Sequence, residues 1–333
     1  FIRSGYDFAL DCADFHGSAD VVASAKGMSL SEILQNILLK NGVTDAGMAI
    51  IHEVMNSQPA RRTRSCAQQN SKAWRLPSEK MSMVIQAEST LEYAHALAWE
   101  FDPKCYMYFD QPPSIYLEYR NGDIRISGGE ATLDYFVISE EFVGYYECKP
   151  FKHLENIASR RPDKYTFDEE KKIYTSPALE RYLEGTGLSY KISSEKNISD
   201  VMTKNLEFLK GYFQADPDKK FCRGIEDIRL LLKQDKHITI HEALETIASD
   251  SLYYAIAQGK IYFPLEELLI TDIESSSVFS DYDGYVEYSA KKEEVQSGFN
   301  VDELHPVIRK SKANQVKKAD RKSTRLNSSH MPV

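Results

Sequence analysis

The chain has 333 residues, with 41 Lys and Arg against 50 Asp and Glu and a formal net charge of -9. That balance excludes a histone-like polycation, the length allows more than one core, and no apolar run approaches the roughly 20 residues of a membrane-spanning helix. Five scattered cysteines with no Cys-x-x-Cys (Cys12, Cys66, Cys105, Cys148, Cys222) argue against a disulfide framework or a structural zinc site and suit a reducing cytoplasm.

Residues 1–58 read as an N-terminal extension that begins at Phe1 rather than Met, so a truncated start is expected. Ser29-Leu-Ser-Glu32 predicts a capping box opening a helix through Leu34, Ile37 and Leu38 that stops at Asn41-Gly42. A second helix is expected over Ala46 to Met55. Residues 59–82 form a basic arm carrying Arg61, Arg62, Arg64, Lys72, Arg75 and Lys80. Such an arm suits a phosphate backbone, and a solvated linker is the alternative. A second basic run, Arg309 to Lys318, lies near the end.

Ala87 to Phe101 has apolar residues at helical spacing (Leu91, Ala94, Ala98, Phe101), and Glu88 and Glu92 lie one turn apart on one face. Tyr106 to Phe109 reads as a strand leading into Gln111-Pro-Pro. Ser114 to Arg120 and Ile124 to Ser127 pair across Asn121-Gly122, a strong hairpin signal. Gly128-Gly129 then leads into two apolar runs, Leu133 to Ile138 and Phe142 to Cys148, joined at Ser139-Glu140-Glu141. Antiparallel pairing brings Asp134 beside Glu147, while Glu147 and Lys149 share a face that Cys148 does not.

Two carboxylates and an ammonium thus converge at one end of the hairpin, or else form a surface hairpin with solvated charges. Carboxylate oxygens are the donors that Mg2+ prefers, with Mn2+ as substitute. A bound Mg2+ would engage a phosphate, acidify a water and stabilise a departing oxyanion. Asp, a dozen residues, then Glu-x-Lys resembles the PD-(D/E)xK nuclease motif. A helix, strands and this motif follow the order of that nuclease core, whose first helix supplies a further acidic residue. Glu92 fits that role, with Glu88 and Gln111 as assisting candidates.

Downstream, Leu154 to Ser159 suggests a helical turn. Thr175 to Leu183 opens a helix with Pro177 in its first turn, ended by Gly185-Thr-Gly187. Leu188 to Ser193 is expected as a parallel crossover strand, which closes a core spanning 83–199. Residues 200–285 are mainly helical: Leu206 to Tyr212, then a loop at Asp216-Pro-Asp-Lys-Lys. Ile225 to Lys233, Ile240 to Ala248 capped by Thr239, and Ser251 to Gln258 capped by Asp250 follow. A β-ribbon over Lys260 to Leu269 would complete a winged helix. Its third helix carries no Arg or Lys, so protein contact is at least as good a reading as base readout. Residues 286–319 read as a linker or tail. Asp320 to His330 closely resembles the translation of a sequencing adapter, so 320–333 are set aside and a further natural C-terminal stretch is expected.

In order, these segments resemble TnsA, the endonuclease subunit of a heteromeric transposase, over residues 76 to 275. The carriers are Ser89-Thr-Leu-Glu92, Glu100-Phe-Asp-Pro103, Gln111-Pro, Thr132-Leu-Asp134-Tyr-Phe-Val, Glu147-Cys-Lys149-Pro150, Ser193-Ser-Glu-Lys-Asn-Ile198 and Asn205-Leu-Glu-Phe-Leu. The resemblance implies an α/β restriction-endonuclease-like core, a mixed sheet flanked by helices, and a helical, winged-helix-like C-terminal domain. It implies Mg2+-dependent hydrolysis at the 5′ ends of a transposon in the bacterial cytoplasm. Duplex DNA, a DDE transposase (TnsB-like) and an AAA+ regulator (TnsC-like) are the implied partners. Carried over, Glu92, Asp134 and Glu147 are metal ligands and Lys149 is the catalytic lysine. Some members have Gln at the position of Glu147. A restriction or repair nuclease on the same core, or a non-catalytic assembly subunit, are the alternatives.

Overall fold

The structure is a computed structural model that describes residues 30–57, 74–121, 124–215 and 219–297. The capping residue Ser29, the arm residues Arg61, Arg62, Arg64 and Lys72, the second basic run and the adapter-like end lie outside the described residues. Those described are mixed α/β, with ten helices and several small sheets.

Helices α1 (Leu30–Lys40) and α2 (Asp45–Asn56) form as their periodicity predicts. They are not a detached extension. Ile33, Ile37, Ile51 and Val54 are buried with Phe136, Ile138, Tyr145, Leu179 and Leu183 in one apolar cluster. The link between them docks on a distant turn: Thr44 N–H donates to Thr186 O at 3.0 Å, and its hydroxyl to Gly185 O at 2.9 Å.

Two strands, β1 (Trp74–Ser78) and β2 (Met83–Ala87), pair antiparallel where the composition suggests an extended arm, so the hairpin straddles the boundary at residue 82. Leu76, Ile85 and Ala87 turn inward, while Arg75, Pro77 and Val84 are exposed. Ala87 therefore ends a strand, and the next helix, α3 (Thr90–Phe101), starts three residues later than predicted, after its N-cap Ser89. β3 (Cys105–Asp110) follows. β4 (Ile115–Asn121) and β5 (Ile124–Ala131) form the expected hairpin, which runs on through Gly128 and Gly129.

The central hairpin is β6 (Tyr135–Ser139) and β7 (Val143–Cys148), in register Tyr135 to Tyr146 and Ile138 to Val143. α4 (Phe151–Arg160) is a full ten-residue helix rather than a single turn. The hairpin β8 (Thr166–Asp168) and β9 (Ile173–Thr175) alternates too weakly to be read from the residues alone. Ser176 caps α5 (Pro177–Leu183), which has Pro at its start, as the missing proline N–H allows. β10 (Ser189–Ser193) then lies parallel to β7, giving the sheet order β10-β7-β6-β3.

Helix α6 (Asp200–Phe213) serves two cores. Met202 and Leu206 pack with Leu97, Tyr108 and Tyr135, whereas Leu209 packs with the helices that follow. These are α7 (Lys219–Gln234), strand β11 (His237–Thr239), α8 (Ile240–Thr246) and α9 (Ser249–Ala257). Thr239 and Glu242 form a reciprocal capping box on α8. Asp250 does not cap α9: it sits in the first turn and accepts from Tyr212 Oη at 3.0 Å, and Ala248 occupies the cap position. The ribbon expected over Lys260 to Leu269 is not formed. Asn205, fully buried on α6, gathers that segment through Leu265 O, Leu268 O and Ile270 N–H at 2.7–2.8 Å, which holds it as turns. The local strands are instead β11 with β12 (Ser277–Phe279), plus a bridge from Tyr262 to Phe279. A last helix, α10 (Tyr282–Ser297), runs into the stretch expected to be a linker.

Candidate active site

The hairpin register puts Asp134, one residue before β6, across from the end of β7. Cys148 N–H donates to Asp134 Oδ2 at 2.6 Å, continuing the strand pairing through a side chain. Lys149, just past β7, reaches back: its Nζ lies 3.1 Å from Asp134 Oδ2 and 3.4 Å from Glu147 Oε1. Lys149 N–H also donates to Ser193 O at 2.8 Å, so the parallel strand β10 anchors the backbone that aims the ammonium. The three side chains expected to meet do meet, and all three are at most about a quarter exposed.

Glu92 enters from the first turn of α3 and is buried. Its carboxylate accepts from Glu88 N–H at 2.7 Å and from the Ser89 hydroxyl at 2.8 Å, while Ser89 Oγ accepts from Glu92 N–H at 3.1 Å. This capping arrangement satisfies orphan donors of the helix and fixes the rotamer of Glu92. Tyr135, the residue after Asp134, donates its hydroxyl to Glu92 O at 3.2 Å and so ties α3 to β6. Gln111 joins the same group. Its backbone N–H donates to Asp134 O at 2.9 Å and its side-chain amide to Glu88 Oε1 at 3.0 Å. To do both it adopts φ +44, a left-handed conformation that costs a non-glycine residue energy.

The Asp134 carboxyl is raised to about 6: burial is the main cause, Lys149 opposes it, and the nearby Glu92 and Glu147 charges add to the rise. Burial also opposes the charge on Lys149, but Asp134 and Glu147 overcome this and hold the ammonium above its ordinary range. The lysine is therefore a cation and hydrogen-bond donor rather than a proton acceptor at neutral pH. Tyr165, almost fully buried, hydrogen-bonds Glu147, and its phenol is raised first by burial and then by that carboxylate. The motif spacing contains no sign of Tyr165, because the turn after α4 delivers it.

Of the basic-arm residues within the described parts, Arg75 is exposed on β1. Lys80 is not available to a phosphate. Its Nζ donates to Trp99 O and to Asp102 O, the latter at 2.7 Å, and so caps the C-terminal end of α3. Its reading as a DNA contact is corrected accordingly.

Among the described residues, no group of three or more His, Cys, Asp or Glu side chains closes into a cage for a cation. The Lys149 ammonium occupies the space between Asp134 and Glu147, and both Glu92 oxygens face the helix cap. The donor chemistry nevertheless fits a hard divalent ion: carboxylate oxygens, partly desolvated, with like charges close enough to raise Asp134. No helix among the described residues is long and apolar enough to cross a membrane. No protein-family model and no curated protein sequence matches the chain.

Proposed function

We propose that this chain is a divalent-metal-dependent DNA endonuclease of the PD-(D/E)xK type, acting as the TnsA-like subunit of a transposase. The observation that carries the reading is Lys149 Nζ shared between Asp134 at 3.1 Å and Glu147 at 3.4 Å, on neighbouring strands and beside a helix that presents Glu92. A restriction-endonuclease-like core is supported by α3 packed near the β6–β7 hairpin and by β10 parallel to β7. The order α7, β11, α8, α9, the Tyr262 bridge and β12 supports a winged-helix-like domain. Its third helix, α9, buries every residue from Ser251 to Ile256, which favours a scaffold over a base-reading element.

In this reading Glu92, Asp134 and Glu147 would hold Mg2+, with Mn2+ as substitute. When bound, the ion supplies Lewis-acid stabilisation of phosphate charge and an acidified water. The protein's own part is positional. Cys148 N–H and Tyr165 orient the two strand carboxylates, and Gln111 braces Glu88 against the Asp134 backbone. Lys149, protonated and already desolvated, donates to a phosphate oxygen or to the attacking water as negative charge builds. The substrate would be duplex DNA at transposon ends in the bacterial cytoplasm, with a TnsB-like DDE transposase and a TnsC-like AAA+ regulator as partners.

The test is calorimetric titration of Mn2+ into the chain, with and without duplex DNA, beside Asp134→Ala. Cleavage of a transposon-end duplex in the presence of the transposase follows. Saturable binding and 5′-end cleavage, both lost in the variant, are expected. Cleavage that survives Asp134→Ala overturns the site assignment, and cleavage with no transposase present favours a restriction or repair nuclease.

A further inference from the structure

Three cations flank the carboxylate site, each resting on an aromatic ring. The Arg161 guanidinium lies 4.9 Å from the Tyr119 ring centre, Lys164 Nζ 5.5 Å from that of Tyr165, and Lys196 Nζ 3.1 Å from that of Phe151. These rings border the site. Tyr165 hydrogen-bonds Glu147, Tyr119 is within electrostatic reach of both Arg161 and Glu147, and Phe151 follows Lys149 by two residues. Lys152 and Arg160 are exposed at the two ends of α4.

Among the described residues, none of these five cations forms a salt bridge, although Lys149, Arg120, Arg125 and Arg181 all do. From 151 to 161 the only carboxylate is Glu155. Glu195, next to Lys196, accepts from Phe151 N–H at 2.9 Å. A ring beneath a cation stabilises it without neutralising it, and limits the freedom that a phosphate contact would otherwise cost. Ten helical residues span about 15 Å, which matches about four nucleotides of one strand at 3.4 Å each.

We propose that Arg161, Lys164 and Lys196, extended by Lys152 and Arg160 along α4, form a rim that grips the phosphates of duplex DNA beside the Asp134–Glu147–Lys149 site. This inference rests on the endonuclease reading and assigns the surface by which the substrate is seated. The grip is assigned to backbone rather than bases, because the cations are spread along α4, its C-terminal end and the segment after β10 rather than gathered on one element that could enter a groove. It also supplies what the acidic site lacks, an attraction strong enough to bring a polyanion against three carboxylates.

The experiment is fluorescence anisotropy of a short labelled duplex with the full chain, in chelator, across a salt series. Wild type is compared with the triple variant Arg161→Gln, Lys164→Gln, Lys196→Gln, and with a control, Lys210→Gln, Lys236→Gln, whose cations lie elsewhere. The slope of log affinity against log salt should flatten by about 0.9 for each phosphate that is no longer neutralised, up to about 2.7 in the triple variant, and stay unchanged in the control. An unchanged slope in the triple variant, or equal flattening in the control, overturns the rim. So does a wild type that fails to bind duplex at low salt, which would make an acidic protein the partner of these cations. Calorimetry with Mn2+ on the same proteins separates the two readings. Intact Mn2+ binding with an unchanged slope rejects the rim alone, whereas a wild type that neither binds Mn2+ nor cleaves removes the endonuclease reading as well.

Discussion

Cys148 N–H donates to Asp134 Oδ2 at 2.6 Å, so the strand that carries Glu147 also holds Asp134. One carboxylate is positioned by the backbone of the other's strand, and Lys149, one residue further on, bridges both. The three groups cannot move independently, and single substitutions report on the whole cluster.

Asp134 carries a penalty that depends on pH. Its carboxyl is raised from 3.8 to about 6, so between these values the folded chain binds a proton that the unfolded chain does not. Stability therefore falls as pH rises through this window, and the penalty is complete above it, at about 3 kcal/mol at most. Asp134→Asn should stabilise the metal-free protein by up to that amount at pH 7.5, with the gain fading towards pH 4. Urea unfolding at both pH values checks this, and a gain of equal size at both would contradict it.

Lys149→Met separates charge stabilisation from metal binding. The ammonium competes with a cation for Asp134 and Glu147, so Mn2+ affinity should hold or rise in the variant. Cleavage should fall by about 10²–10³, the usual loss when one donor to developing charge is removed. Calorimetry and single-turnover cleavage read the two effects apart. A parallel loss of Mn2+ binding would show that the lysine instead holds the site together.

Gly144 pairs with Ser189 where β7 lies parallel to β10. Its φ is +151, and a Cβ there would lie 1.7 Å from Ser189 O. Gly144→Ala should cost about 3 kcal/mol or more, since backbone cannot retreat as a side chain can. A chemical denaturation curve close to wild type would mean that β10 is not held against β7 at this register.

Lys80 gives a contrast with the rim. Its ammonium is committed to Trp99 O and Asp102 O, and burial pulls its pKa down. Lys80→Met should lower stability by about 1–2 kcal/mol while leaving the salt dependence of DNA binding unchanged. A flatter salt slope without destabilisation would restore Lys80 as a phosphate contact.

Much of the site is legible in order along the chain. Alternation and a short turn predict the β6–β7 hairpin, and period-two geometry then requires Asp134 beside Glu147 with Lys149 on the same face. Thr239 reads as the N-cap of α8 because capping is local, whereas the helical spacing does not reveal the Ser89 cap of α3. Local signals point the wrong way at the Asp250 cap and the Lys260–Leu269 ribbon. There a tertiary partner, Tyr212 in one case and Asn205 in the other, displaces the local choice.

The hairpin, the self-capped helices and the spacing of acidic and basic side chains follow from the order of residues alone. Each depends on hydrogen bonds and periodicities that close within a few residues. Other outcomes exist only in the folded chain: α1 and α2 belong to the central core, α6 joins two cores, Lys80 is committed to a helix end, and Tyr165 stands behind Glu147. Those outcomes turn on contacts across long loops, such as Tyr93 with Glu207 and Thr44 with Gly185. Their strength depends on how the whole chain packs, and no local pattern carries that.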